Sequence, residues 1–228
     1  MSSYLSWHDG PTGDPHWGSV LLLQNAQGTS TTDAAGLQTL TQNGSVPINS
    51  TRTLFGRNTY EVAAAGNWIS VANASFFSTP ADAQEWTIEG WAYITNIVDA
   101  TAHLVFNDKL AVRVDGVSCP DINSGSYSAA GGNMAINQWV HWAFVRDNSS
   151  GGLGRLRRYL GGVQVASSAT FALTDQMGNV AGFNSVMCRN GLYAPIGSFT
   201  DFRWTMGVCR YPGGTTFAVP TAAFPTST

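Results

Sequence analysis

The stretch WVHWAFVRDNSSGGLGRLRRYLGGVQVA, residues 139 to 166, decides the fold. From Trp139 to Val145 nearly every residue is apolar and three are aromatic, as in a strand packed on both faces. Asp147 to Gly154 then gathers Asp, Asn, Ser and Gly, which is loop chemistry. After it, Leu156 to Leu160 and Val163 to Ala166 flank Gly161-Gly162, a pair that holds positive φ at both central positions of a two-residue hairpin turn. A long core strand followed by a tight hairpin predicts a β-sandwich.

The neighbouring segments extend this pattern. Upstream, Trp86 to Ile94 sets Trp86, Ile88, Gly90, Ala92 and Ile94 on one face against Thr87, Glu89, Trp91 and Tyr93 on the other. The second set mixes polar and large aromatic residues, so that face is expected to be a partly open concave surface. His103 to Phe106 and Leu110 to Val114 flank a short hairpin loop, Asn107-Asp108-Lys109, while residues 118 to 133 read as loop. Further back, Val20 to Leu23 is a first buried strand. Asn43-Gly44 is a hairpin-type turn between Leu37 to Leu40 and Val46 to Ile48, and Gly66-Asn67 separates Tyr60 to Ala64 from Trp68 to Val71.

Only Phe76 to Gln84, with Ser78-Thr79-Pro80 as its cap, suggests a helical turn. Downstream come Phe171 to Leu173, short runs around Val180 and Val186, and Ser198 to Met206. A Pro-containing coil from Tyr211 to Thr228 is expected across one edge. Strands punctuated by Gly and Asn turns predict an all-β chain, a two-sheet antiparallel jelly-roll sandwich. The expected organisation is an N-terminal arm over residues 1–13 and a single domain over 14–228.

Composition narrows the function classes. Charged residues make up 11% against 43% hydrophobic, so the chain has material for a core and a surface that is polar but mostly uncharged. A net charge of −3 gives no basic field for nucleic acid or an anionic membrane. Val20 to Leu23 is far too short to span a bilayer, and residues 1–13 lack the features of a signal peptide. Three cysteines without CxxC spacing, Cys119, Cys188 and Cys209, indicate buried free thiols; nothing favours a Cys188–Cys209 bridge or a zinc site. Tyr4, Leu5 and Trp7 give the arm two readings: a terminus that is free or folded back on its own domain, or an arm that docks on a neighbouring subunit.

In order, the motifs are DPHWGSVLLL (14–23), FGRNTYEV (55–62), GNWISV (66–71), EWTIEGWAYI (85–94), NQWVHWAFVRD (137–147), RYLGGVQVAS (158–167) and DFRWTMGVCRYPGG (201–214). Together they resemble the laminin-G-like, concanavalin A-like jelly-roll family, in the version found in bacteriophage virion proteins. The closing FRxTxGVxRY pattern is carried by Phe202, Arg203, Thr205, Gly207, Val208, Arg210 and Tyr211. The chain departs from the family at Arg158, where an apolar residue is usual, and at Thr200, where an acid is usual. Arg158 shares a face with Leu156 and Leu160, so it is expected either to be paired inside or to have its face covered by another molecule.

The resemblance implies a virion-surface structural or accessory protein, a capsid decoration or tail accessory. It would be assembled in the host cytoplasm, contact other virion proteins, and form a homo-oligomer or occur in multiple copies per particle. Tyr4, Leu5 and Trp7 of the arm and the basic cluster Arg155, Arg157 and Arg158 are the candidate virion contacts, the cluster having a second reading as a solvated hairpin with local acidic partners. The family's other use, as a glycan-binding adhesin for host attachment, would fall to Trp91, Tyr93 and Trp142.

A glycoside hydrolase is a distant third. That reaction needs two carboxylates at controlled separation, and Glu85 and Glu89 are four apart with no third acid. Among the four histidines, His141 lies in the apolar strand and reads as a hydrogen-bonded core residue, not a base. No enzyme activity and no cofactor are expected. A rim calcium, which some family members carry, would draw on loop acids such as Asp108, Asp147 and Asp175.

Overall fold

The computed structural model describes residues 13–72, 84–98, 101–106, 110–122, 125–126, 128–175, 184–189, 191–214 and 216–227. Its strands form two antiparallel sheets. The first holds β1 (Val20–Gln24), β3 (Ile48–Leu54), β4 (Arg57–Val62), β6 (Trp86–Ile97), β12 (Trp139–Asp147), β13 (Leu153–Leu160), β14 (Val163–Ser167), β15 (Phe171–Ala172) and β17 (Pro195–Met206). Its spatial order is β14-β13-β12-β6-β17-β4-β3, with β1 added beside β17 and β15 beside β13. The second holds β2 (Leu40–Asn43), β5 (Trp68–Val71), β7 (His103–Phe106), β8 (Leu110–Arg113), β9 (Val117–Ile122), β10 (Gly125–Ser126), β11 (Ala129–Ala130) and β16 (Asn184–Val186). This is the predicted β-sandwich jelly roll.

The core lies between the sheets. Trp86, Ile88, Ala92 and Ile94 of β6, Trp142 and Phe144 of β12, and Trp204 of β17 all point inward and are buried. They meet Ile69, Leu104, Val112 and Val186 of the second sheet. Each such side chain contributes roughly 1.5–3 kcal/mol by leaving water. The Gly161-Gly162 turn behaves as its residues predict, with φ of 55° and 79°. β12 is buried on both faces from His141 onward, as its unbroken apolar run implies.

Three expectations change. Residues 118 to 133, read as loop, contain most of β9 and all of β10 and β11. Asn43-Gly44 does not close a hairpin: β2 pairs with β5 in one sheet and β3 with β4 in the other, so the turn carries the chain across the sandwich. A Gly-Asn turn looks the same from sequence whether it reverses within a sheet or between sheets. The tail also runs beyond the edge expected of it. It meets the edge strand β14 where Thr216 bridges Val163, then continues across the outer face of the first sheet: Phe217 N–H donates to Gly162 O (2.9 Å), Phe224 N–H to Asp201 Oδ2 (3.2 Å), and Asp14 N–H to Ser227 O (2.7 Å). The expected helical turn, except Gln84, and the run around Val180 lie outside the described residues.

One local irregularity shapes the site. The register of β17 against β6 shifts between Thr200 and Arg203, and Asp201 in that bulge has φ of 50°. Opposite it sits Gly90, where an added Cβ would come within 3.3 Å of Asp201 O and Phe202 Cα. A glycine mid-strand thus lets the bulge approach.

Candidate functional site: an aromatic cleft beside a roofed ion network

Strand alternation sends Thr87, Glu89, Trp91 and Tyr93 of β6 to the outer face, and the tail divides them. Thr87 and Glu89 lie under it and are fully buried; Trp91 and Tyr93 lie beyond it and are half-buried. The predicted open concave face is therefore closed over its first half, because the tail's Tyr211, Phe217 and Phe224 pack there.

Under the roof is a fully paired charge cluster. Arg203 sits opposite Glu89 in the strand register, and both its Nε (3.0 Å) and Nη2 (2.7 Å) donate to Glu89 Oε1. Tyr211 donates its hydroxyl to Glu89 Oε2 (2.5 Å), and His141 Nε2 lies 3.2 Å from the same oxygen. Arg203 Nη1 reaches Asp14 (2.8 Å), which also receives both terminal nitrogens of Arg210 (3.1 and 2.7 Å). The Arg203 guanidinium lies over the Phe224 ring at 3.8 Å. Burial pushes the Glu89 pKa up, but the Arg203 charge and the His141 hydrogen bond outweigh it and hold it well below the usual carboxylate range. Arg203, Thr205, Arg210 and Tyr211 of the closing motif thus supply most of the parts that fasten tail to sheet, while Phe202 packs inward against Trp142.

Beyond the roof, rings gather. Trp139 pairs with Tyr93 across the strands, their rings edge-on at 5.7 Å. Trp91 meets His141 at 5.2 Å and Phe55 at 5.4 Å, both edge-on. Arg52 lies 4.5 Å over the Tyr93 ring and is held by Ser198 Oγ (3.0 Å) and Glu61 (3.5 Å). Beside these rings opens a cleft of about 440 Å³, lined by Trp91, Trp139, His141, Asn133, Gln138 and Val219, with Ala135, Val140, Leu160 and Gly161 between them. Trp91 Nε1 has no hydrogen-bond partner among the described residues.

Of the glycan candidates, Trp91 lines the cleft and Tyr93 supports Trp139 at its margin. Trp142 is a correction: it is 4% exposed and points into the core, since it has the opposite strand parity from His141. Trp139, Gln138, Asn133, Phe55 and Arg52 were not singled out from sequence. Parity would have favoured Trp139, which shares its face with His141; the others come from separate loops and strands.

The basic cluster is also corrected. Arg158 faces the core, 2% exposed, and donates to Arg113 O across the sandwich (2.7 Å). Arg157 faces outward but is covered by the tail, bonded to Asp147 Oδ2 (2.5 Å), Gln164 Oε1 (3.0 Å) and Ser150 Oγ (3.2 Å). Both are occupied internally, and only Arg155 keeps partial exposure. Tyr4, Leu5 and Trp7 lie outside the described residues.

The acids are likewise engaged. Glu89 is sealed in the ion network, while Glu85 receives the backbone N–H of Asn148 (3.0 Å) and Cys209 (3.4 Å), so the two do not face one cleft. Asp147 binds Arg157 and the N–H groups of Ser149 and Gly213, and Asp175 receives Ala172 N–H. Asp108 is outside the described residues. Glu85, Asp147 and Cys209 bring ligand atoms within 4.8 Å of one another. Burial raises the Cys209 thiol to about 12, and a thiol is a poor partner for calcium, so this trio does not fit the rim calcium. Cys188 and Cys209 are both free and buried. No helix among the described residues is long and apolar enough to cross a membrane.

No protein-family model and no curated protein matches the chain. Solved structures do. Domain 4 of AbnA, a GH43 extracellular arabinanase from Geobacillus stearothermophilus, solved with arabinotriose, aligns with TM-score 0.56 and 14% identity over 83% of this chain and 93% of that one. The binding domain of Paraclostridial Mosquitocidal Protein 1 aligns with TM-score 0.63 and 12% identity over 86% of this chain and 50% of that one. The botulinum neurotoxin serotype G binding domain aligns with TM-score 0.54 and 15% identity, covering 87% and 48%. The chain thus spans nearly all of the arabinanase domain and about half of each toxin domain. At these identities the likeness establishes the fold: a jelly-roll sandwich shared with one domain of an arabinanase and with binding domains of toxins.

Proposed function

We propose that this chain is a non-catalytic recognition module that binds a glycan in the Trp91–Trp139 cleft. The observation that carries this reading is the cleft itself. Half-buried indole rings edge a concavity of about 440 Å³, with the amides of Asn133 and Gln138 at its margin. Sugars present an apolar C–H face and an array of hydroxyls, and aromatic rings with a few polar groups complement both. The arabinotriose bound to the arabinanase domain supports the choice of ligand class, since that domain has the same fold.

Saturable binding of the purified chain to host surface polysaccharide tests the reading, with Trp91→Ala as the control. Binding should fall at least about tenfold, the loss of a stacking contact worth about 1.4 kcal/mol, while the β-rich circular dichroism spectrum is retained. If no polysaccharide is bound, the module is not a lectin.

The seven-motif resemblance supports a second element: the module sits on a virus particle as a capsid decoration or tail accessory, in several copies, with the arm as its attachment. Deleting residues 1–13 should then abolish incorporation into particles without unfolding the sandwich. Normal incorporation of the truncated chain would exclude docking through Tyr4, Leu5 and Trp7.

A further inference from the structure

The cleft's lining limits which sugars it can hold, and this inference rests on the glycan-binding reading above. Its ten described lining residues include no Asp, Glu, Lys or Arg. The one ionisable side chain is His141, whose Nε2 is engaged by Glu89 beneath the tail. Arg52 lies over Tyr93 and is held by Glu61 and Ser198. Arg203 and Arg210, two further cations of this face, are spent on Asp14 and Glu89, and Arg57, on the same face, is not among the residues that line the cleft. A carboxylated or sulfated sugar placed here would leave water without a cation to receive it, and an unpaired buried charge is costly. Hydroxyls face no such penalty, because amide groups donate and accept equally.

We propose that the site selects neutral oligosaccharides, stacked on Trp139 and hydrogen-bonded by Asn133 and Gln138, and discriminates against sialylated or uronic acid-containing glycans. Trp139 is the platform because its ring is supported edge-on by Tyr93, which is itself fixed by Arg52. Gln138 and Asn133 are exposed and free of core packing, so they serve as adjustable polar contacts.

The test is calorimetric titration of the full chain with neutral hexose oligosaccharides and, in parallel, with sialylated and uronic acid-containing ones. Neutral glycans should bind at least about tenfold more tightly. Their affinity should change less than about twofold when ionic strength rises from about 0.1 M to about 1 M, which shortens the screening length from about 10 Å to about 3 Å. Trp139→Ala should reduce neutral-glycan affinity at least about tenfold. Gln138→Ala, at an exposed position that does not threaten the fold, should reduce it about threefold or more, the loss of one hydrogen bond. Preference for acidic glycans, with affinity falling as salt rises, overturns the inference and leaves glycan binding standing. Neutral binding that is indifferent to both variants also overturns it, by moving the site elsewhere. Failure to bind any glycan removes both readings.

Discussion

Glu89 and Arg203 stand directly opposite each other on the two central strands, and both Arg203 Nε and Nη2 donate to one oxygen of Glu89 beneath the C-terminal tail. Glu89 is sealed from solvent and Arg203 nearly so, and each is tolerated because the other is there. The pair also organises the roof: Glu89 takes the Tyr211 hydroxyl, and Arg203 takes Asp14 and the face of Phe224.

Removing one partner should therefore cost more than the pair contributes. Arg203→Ala is expected to destabilise the chain by about 3–5 kcal/mol, because Glu89 keeps its burial and loses its main cation. Urea denaturation at neutral pH measures this. A loss below about 1 kcal/mol would mean that water reaches Glu89 once the guanidinium is gone.

Asp201 gives the fold a pH signature. Burial raises its pKa to about 6 despite the Phe224 N–H bond and the neighbouring Arg57 and Arg203 charges. Between about pH 4, where the unfolded carboxyl titrates, and pH 6, the folded state holds more protons than the unfolded one. Stability from this group therefore falls as pH rises through that window. Glu89, Asp14 and Asp147 act in the opposite sense: their folded pKa values are lowered, so their stabilisation is present above about pH 4 and is lost as pH falls further. Asp201→Asn should match the parent near pH 4 and exceed it by up to about 3 kcal/mol above pH 6. Denaturation curves at intervals across this range would expose the gap; parallel curves would place the Asp201 carboxyl in contact with solvent.

Gly162 is a point where the tail can be lifted without touching the ion network. It has φ of 79°, and an added Cβ would come within 2.4 Å of Phe217 O. Gly162→Ala should destabilise by about 1–3 kcal/mol and loosen the tail around Phe217. Limited proteolysis should then cut between residues 214 and 220 faster than in the parent, with the sandwich strands protected in both.

Cys188 and Cys209 should be inert thiols. Each is buried, and burial raises each to about 12, far from the thiolate that alkylating reagents attack. Iodoacetamide at pH 8 should label neither in the native chain and both after denaturation, as read by mass spectrometry. Native labelling of Cys209 would show that the tail opens on the time scale of the reaction.

Residue chemistry along the chain was enough to place the strands that are apolar on both faces or alternate cleanly, and the turn at Gly161-Gly162. Those features are local: an apolar run must find cover on both sides, and two adjacent glycines can hold positive φ where other residues are strained. The tertiary structure alone decided what covers each face. Nothing in Tyr211, Phe217 or Phe224 announces that they close over Glu89, which lies more than a hundred residues from both Arg203 and the tail. The same holds for Arg158, which broke an apolar pattern yet turned inward once a carbonyl of the opposite sheet stood within 2.7 Å. Trp139 and Trp142 differ in fate through parity on one strand, but which parity faced the cleft depended on where the tail came to rest. Local rules fixed which residues must leave water; only the packing of distant segments fixed which remained within reach of a ligand.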